Sequence, residues 1–190
     1  FANAEQGSVY EHLQRAIRFS LTHLGPHGMP AGLYADWNDC LRLGAAGESS
    51  FVAMQFYYAL VIMKEFAGHK QDADYLQYLE ETLPKTRELI QKLCWDNDRF
   101  IRGYTETGER IGASKAPEAN MWLNPQSWAV ISSLATKEQA EAALDNVFAR
   151  LNTAYGAVLM DPPYHAHAFD GALTVIYNQG TKENAGIFSQ

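Results

Sequence analysis

The stretch Tyr34-Ala35-Asp36-Trp37-Asn38-Asp39-Cys40, "YADWNDC", sets two carboxylates, an amide and an indole side by side directly after "HGMPAG". One reading is structural: Asp36 or Asn38 caps a following helix and Trp37 packs in the core. A calcium loop is excluded, because the EF-hand pattern needs a glycine at its sixth position and Leu41 stands there. The other reading is carbohydrate chemistry. An indole face stacks on a pyranose ring, amides and carboxylates exchange hydrogen bonds with its hydroxyls, and a suitably tuned carboxylic acid protonates a glycosidic oxygen. From these residues alone, capping and sugar binding both stay open.

A second cluster closes the chain. In "YNQGTKENAGIFSQ" the triplet Lys182-Glu183-Asn184 lies between Gly180 and Gly186, which places it on a loop with its side-chain heads free. It is either a solvated turn or, with Tyr177, a platform for a hydroxyl-rich ligand. His165, His167 and Asp170 in "DPPYHAHAFDG" give a His-x-His pair near a carboxylate, but such Pro-rich loops more often bind nothing, and no metal is expected. Trp122 and Trp128 read as packing residues, whereas Asn124 and Gln126 at a helix start could face a cleft. Nucleophile-elbow glycines, a P-loop and a dinucleotide fingerprint are all missing from the sequence.

Helices must carry these loops. Ser8 caps an i, i+4 stripe of Val9, Leu13, Ile17, Leu21 and Leu24, which "GPHGMPAG" ends. A helix apolar on most faces is predicted from about Ser50 to Ala67, with Gly68 as its C-cap. A third spans about Asp72 to Leu93 and should bend or break at Pro84. A small β-hairpin is expected around Glu106-Thr107-Gly108. Pro125 then opens a helix through Leu134, and Thr136 caps another to about Leu151. "ALTVIY" near the end reads as a weak strand. The fold class is mainly α, and successive helices joined by long polar-aromatic loops fit stacked helical pairs better than a short-looped bundle.

The bulk numbers agree. The 190 residues are 47% hydrophobic and 19% charged, enough for one globular core over residues 1–190. Fifteen basic residues face 22 acidic ones, so nucleic acid is not an expected partner. The apolar run near Phe51 to Phe66 is interrupted by Gln55, Lys64 and Glu65, so no membrane span is expected. Cys40 and Cys94 fit no disulfide or metal spacing, which favours a reducing, cytoplasmic setting. The chain starts at Phe1 and reads like a piece of something longer.

Taken in order, "HGMPAGLYADWNDCLRLGAAGES", "CWDNDRFIRGYTETGERIG", "WLNPQSWAVISSLAT", "YGAVLMDPPY" and "YNQGTKENAGIFS" resemble the inverting β-glycoside phosphorylases of glycoside hydrolase family 94. That family includes cellobiose, cellodextrin, laminaribiose and N,N′-diacetylchitobiose phosphorylases. The resemblance implies a central slice of an (α/α)6 toroid with a small β-hairpin insertion, as a single-domain fragment. It also implies a general acid at Asp39. Asp36 and Trp37 would line the subsite of the sugar that becomes the glycosyl phosphate. Tyr177 and Lys182 would lie on the aglycone side, with Glu183 close by.

The partners so implied are a β-linked disaccharide or oligosaccharide and inorganic phosphate as co-substrate, with no other cofactor, and members are often homodimers. Where the family usually presents a phosphate-binding His, this chain has Gln190, which donates a hydrogen bond without a cationic form. Leu173 replaces the acidic residue of cellobiose-specific members, so the chain looks closer to the laminaribiose and chitobiose type. Two other functions remain in view: an inverting hydrolase with Glu183 as its second carboxylate, and a sugar-binding fragment without turnover.

Overall fold

Helix α1 (Val9–Thr22) begins where the Ser8 hydroxyl accepts the Glu11 amide and the Glu11 carboxylate accepts the Ser8 amide, a closed capping box. It is one of five α-helices in the computed structural model, which describes residues 6–165 and 176–187. The others are α2 (Ser50–Lys70), α3 (Ala73–Cys94), α4 (Leu123–Ile131) and α5 (Lys137–Asn146), the last continued by a π-helical turn over Val147–Leu151. The mainly α class is thus observed, and Ser8, Thr136 and Asp72 all act as caps.

Helix α2 packs against α1, α3 and α4, which explains its apolarity on most faces. It runs through Gly68 and ends at Gln71 instead, whose φ of 56° is left-handed and whose amide reaches the Ala67 and Gly68 carbonyls. Asp72 then caps α3 by accepting the Tyr75 amide at 3.1 Å, while its other oxygen takes the Tyr10 hydroxyl and the Gln14 amide group. That carboxylate ties α1 to the turn between α2 and α3. Pro84 does not break α3. Leu79 and Ile90 are buried and Leu83 packs beside them, so tertiary burial outweighs the hydrogen bond that proline removes.

Among the described residues nine two-residue strands pin the loops: β1 (Glu48–Ser49), β2 (Trp95–Asp96), β3 (Arg99–Phe100), β4 (Gly103–Tyr104), β5 (Arg110–Ile111), β6 (Met121–Trp122), β7 (Asn152–Thr153), β8 (Gly156–Ala157) and β9 (Met160–Asp161). The expected hairpin is β4–β5, and β1 joins it antiparallel, Ser49 opposite Gly103. The segment that leads into α2 is therefore stitched to the hairpin. Positions 172–175 of "ALTVIY" lie outside the described residues.

Two cores result. One, around Met54, Tyr57, Ile90, Cys94, Phe100 and Leu134, joins α2, α3 and α4. The second, with Leu41, Leu43, Ile111, Trp122, Tyr164 and Ala185, lies under the loops. Gly112 sits at its edge with φ of 80°, and an added Cβ would come within 2.8 Å of the Arg102 nitrogen and 3.0 Å of the Trp122 ring. Gly112→Ala is expected to destabilise the full-length protein by about 1–3 kcal/mol, read as a lowered melting temperature.

Candidate active site

The segment 33–41 forms turns, and no helix follows it until Ser50. Leu33 and Tyr34 both have left-handed backbone, at φ of 51° and 67°, a costly pair for residues other than glycine. The Asp36 Oδ1 atom accepts the Asn38 amide at 3.0 Å, and the Asn38 Oδ1 atom accepts the Cys40 amide at 3.0 Å. Both side chains therefore cap consecutive turns, and the helix-cap reading fails. The chain alternates as it goes. Asp36, Asn38 and Cys40 point inward, Asn38 being 1% exposed, whereas Trp37 and Asp39 are exposed. Leu41 and Leu43, buried in the second core, anchor this alternation from the far side.

The inward group Asp36 meets Arg102, and their side chains are 3% and 0% exposed. Asp36 is thus covered on the protein side, while Asp39 faces outward. The two carboxylates are separated by environment.

The second loop comes to the same place. Asn184, expected to have a free head, is fully buried: its amide group donates to the Tyr164 and Tyr177 carbonyls, and its Oδ1 accepts the Tyr164 amide at 2.8 Å. It pins the loop to the second core through Ala185 and Tyr164. Lys182 and Glu183 are then held beside it, Lys182 with a left-handed φ of 45° and its Nζ 4.8 Å from the centre of the Tyr177 ring. Glu183 is half-buried, and its Oε2 has no hydrogen-bond partner among the described residues.

The two loops meet in the second core, where Leu41 and Leu43 join Tyr164 and Ala185, and Cys40 lies next to that contact. Burial pushes its thiol pKa up, a hydrogen bond from Tyr177 works against this, and the charges of Glu183 and Asp39 raise it while Lys182 lowers it. Tyr177 is raised in turn, first by that Cys40 bond. Asp39, Tyr177, Lys182 and Glu183 therefore share one electrostatic neighbourhood around Cys40, from positions more than a hundred residues apart in the chain. Cys94, buried in the first core, has its thiol pushed up to about 12 by burial. Both cysteines should stay unlabelled by iodoacetamide at neutral pH in the native protein and react once it is unfolded, as peptide mass mapping would show.

Other expected groups lie elsewhere. The His165 ring nitrogen Nδ1 is 2.9 Å from Glu118, which also accepts the His165 amide. His167, Asp170, Leu173 and Gln190 are outside the described residues. Trp122 packs in the second core with its indole N–H on the Ala119 carbonyl, and Trp128 packs against Phe51 and Tyr58. Asn124 and Gln126 do not face a cleft. Both are buried, and Gln126 bridges the Phe100 backbone to the Trp122 carbonyl. Sequence reasoning missed Arg102, since an arginine next to a hairpin reads as solvated until its burial is known.

Comparison with known proteins fits these motifs. The family model described as "Glycosyl hydrolase 94 superfamily, catalytic domain" matches residues 1–190. The N,N′-diacetylchitobiose phosphorylases of Vibrio proteolyticus and Vibrio furnissii are 38% and 36% identical over 100% of this chain. A solabiose phosphorylase of Paenibacillus borealis is 34% identical over 83% of it. The chain spans about a quarter of their length, 24%, 24% and 21% respectively. With the family model matched from the first residue to the last, the chain belongs to the glycosyl hydrolase 94 superfamily as part of its catalytic domain.

Proposed function

We propose that the protein to which this chain belongs phosphorolyses a β-linked gluco-configured disaccharide or oligosaccharide with inversion, and that Asp39 is its general acid. The observation that supports this reading is the exposed carboxylate of Asp39 on a loop whose buried Leu41 and Leu43 share the second core with Ala185, the neighbour of Lys182, Glu183 and Asn184. An inverting hydrolase needs a second carboxylate to deprotonate water. Phosphate is already anionic and needs none. In the proposed step a phosphate oxygen attacks the anomeric carbon from the face opposite the leaving group. The bond from that carbon to the glycosidic oxygen breaks, and the Asp39 proton goes to the departing oxygen. The phosphate ester formed gives up a proton, which restores Asp39. The products are an α-sugar 1-phosphate and a shortened sugar.

Trp37 would stack on the sugar that becomes the phosphate ester, and Tyr177, Lys182 and Glu183 would hold the leaving sugar. Asp36, expected in sequence to touch sugar, is assigned no ligand because it is turned inward on Arg102. Gln190 is proposed as a neutral donor to phosphate. The rest of an (α/α)6 ring would cover the apolar groove of about 290 Å³ beside Val9, Leu13 and Phe66, where Val9 is 76% exposed.

The test uses the full-length protein with N,N′-diacetylchitobiose, laminaribiose, cellobiose or solabiose, each with and without phosphate. Phosphorus NMR should show an α-sugar 1-phosphate with one of them. No sugar phosphate from any donor would refute the proposal, and sugar release independent of phosphate would make the protein a hydrolase.

A further inference from the structure

Arg102 is fully buried and held by both backbone and side-chain contacts. Its amide donates to the Ile111 carbonyl at 2.8 Å across the hairpin, and its carbonyl accepts the Ser50 amide at 3.0 Å from the first residue of α2. Its Nη1 donates to the Ser49 hydroxyl at 2.7 Å, and that oxygen also caps α2. The guanidinium lies between two aromatic rings, with its carbon 5.9 Å from the centre of Phe51 and 5.6 Å from that of Trp122. Nη2 donates to Asp36 Oδ1, 66 residues away in sequence.

The fixed guanidinium thus extends into the loop as a relay. Asp36 Oδ1 holds both Arg102 and the Asn38 amide, and Asn38 Oδ1 holds the Cys40 amide. Every second residue of the loop is tied inward, and the residues between them, Trp37 and Asp39, are the exposed ones. A slip of one residue would bury the indole and the second carboxylate and turn Asp36 and Asn38 outward. A buried ion pair is weak evidence for stability, because well-packed apolar groups often do as well. What an apolar pair lacks is direction. Three atoms of the knot, Asp36 Oδ2, Asn38 Nδ2 and Arg102 Nε, are buried without a hydrogen-bond partner among the described residues, a cost that packing alone does not explain.

We propose that Arg102 is a positioning residue for the general acid: through Asp36 it sets the register of the loop and so the direction in which Asp39 presents its carboxyl group. The inference rests on the phosphorolysis reading with Asp39 as acid. It also gives Asp36 the task of an anchor instead of a sugar ligand.

The test compares two donors in the full-length enzyme. A β-linked disaccharide needs its leaving oxygen protonated, whereas the matching β-glycosyl fluoride leaves without help from an acid. Arg102→Lys keeps the charge and loses the two-pronged fork. Asp36→Asn keeps the shape and loses the ion pair, and it carries the test if Arg102→Lys does not fold. Each is expected to lower kcat on the disaccharide by about 10–100-fold. Turnover of the fluoride should change by less than about 3-fold, well below the general-acid contribution. Equal losses on both donors would mean general damage or a lost sugar contact, and an unchanged rate on the disaccharide would mean no positioning; either result overturns the proposal. Wild-type enzyme that forms sugar phosphate from neither donor would overturn the phosphorolysis reading itself, before any substitution is made.

Discussion

Asp39→Asn is expected to lower phosphorolysis of the β-linked donor by about 10²–10⁴-fold, the usual contribution of a positioned general acid. Asparagine has nearly the same shape, and Asp39 is exposed, so the loop has no packing reason to change. The inward ties that hold the loop, from Arg102, Asp36 and Asn38, do not involve the Asp39 side chain. KM for the donor should therefore stay close to that of the wild type, and the loss should fall on kcat. The β-glycosyl fluoride gives the control, since its leaving group needs no proton and the variant should retain most of its turnover there. Full activity of Asp39→Asn on the disaccharide would take Asp39 out of the acid role. A comparable loss on both donors would point to binding instead of proton transfer. Asp36→Asn is expected to resemble Asp39→Asn in the choice of donor but not in size, because it disturbs where the acid points and not whether an acid is present.

Much of this arrangement is legible in the sequence, and for a physical reason. Helix caps are local, so Ser8 and Thr136 could be read from a few neighbouring residues. The apolar run of α2 also announced a helix covered on several sides. The misjudged points depend on distant contacts. Gly68 continues α2 and Pro84 sits inside α3 because tertiary burial outweighs local preference. Asn184 reads as a solvated loop residue, since nothing near it in sequence reveals the Tyr164 backbone it binds, 20 residues earlier. The same holds for Arg102, whose partners Asp36, Ser49 and Trp122 come from separate segments. In the acid loop the types of residue were readable, but not the alternation that turns one carboxylate inward and the other outward.

The greatest loss of stability should follow Glu48→Ala. Glu48 is fully buried in β1, yet it carries a carboxylate. Its oxygens accept the His27 amide at 3.1 and 3.3 Å and the Met29 amide at 2.9 Å, and Oε2 lies 2.5 Å from His27 Nδ1. His27 also packs against Tyr104 of the hairpin, the rings tilted by 34° with centres 4.2 Å apart. A Cβ on Gly25 would come within 2.3 Å of the Glu48 side chain, so the glycine-rich break after α1 is wrapped directly around this carboxylate. The same break feeds the acid loop, where the Gly32 amide donates to the Gly47 carbonyl next to Glu48. Alanine would leave two backbone amides and a histidine unpaired around a cavity, at a cost of about 3–5 kcal/mol. Glu48→Gln fills the space but turns one acceptor into a donor facing other donors, so about 1–3 kcal/mol is expected for it. Native-state hydrogen exchange of the full-length protein reads both effects at the His27 and Met29 amides. If those amides lose their protection by opening of this segment, exchange should rise by about 100-fold or more in Glu48→Ala, since each 1.4 kcal/mol is a factor of ten. Glu48→Gln should lie between that variant and the wild type. Exchange at both amides within about threefold of wild type in Glu48→Ala would show that the hairpin and α2 hold the break without the carboxylate. Faster exchange confined to residues 25–32, with α2 unaffected, would identify Glu48 as a local clamp that carries the acid loop on a fold able to stand without it.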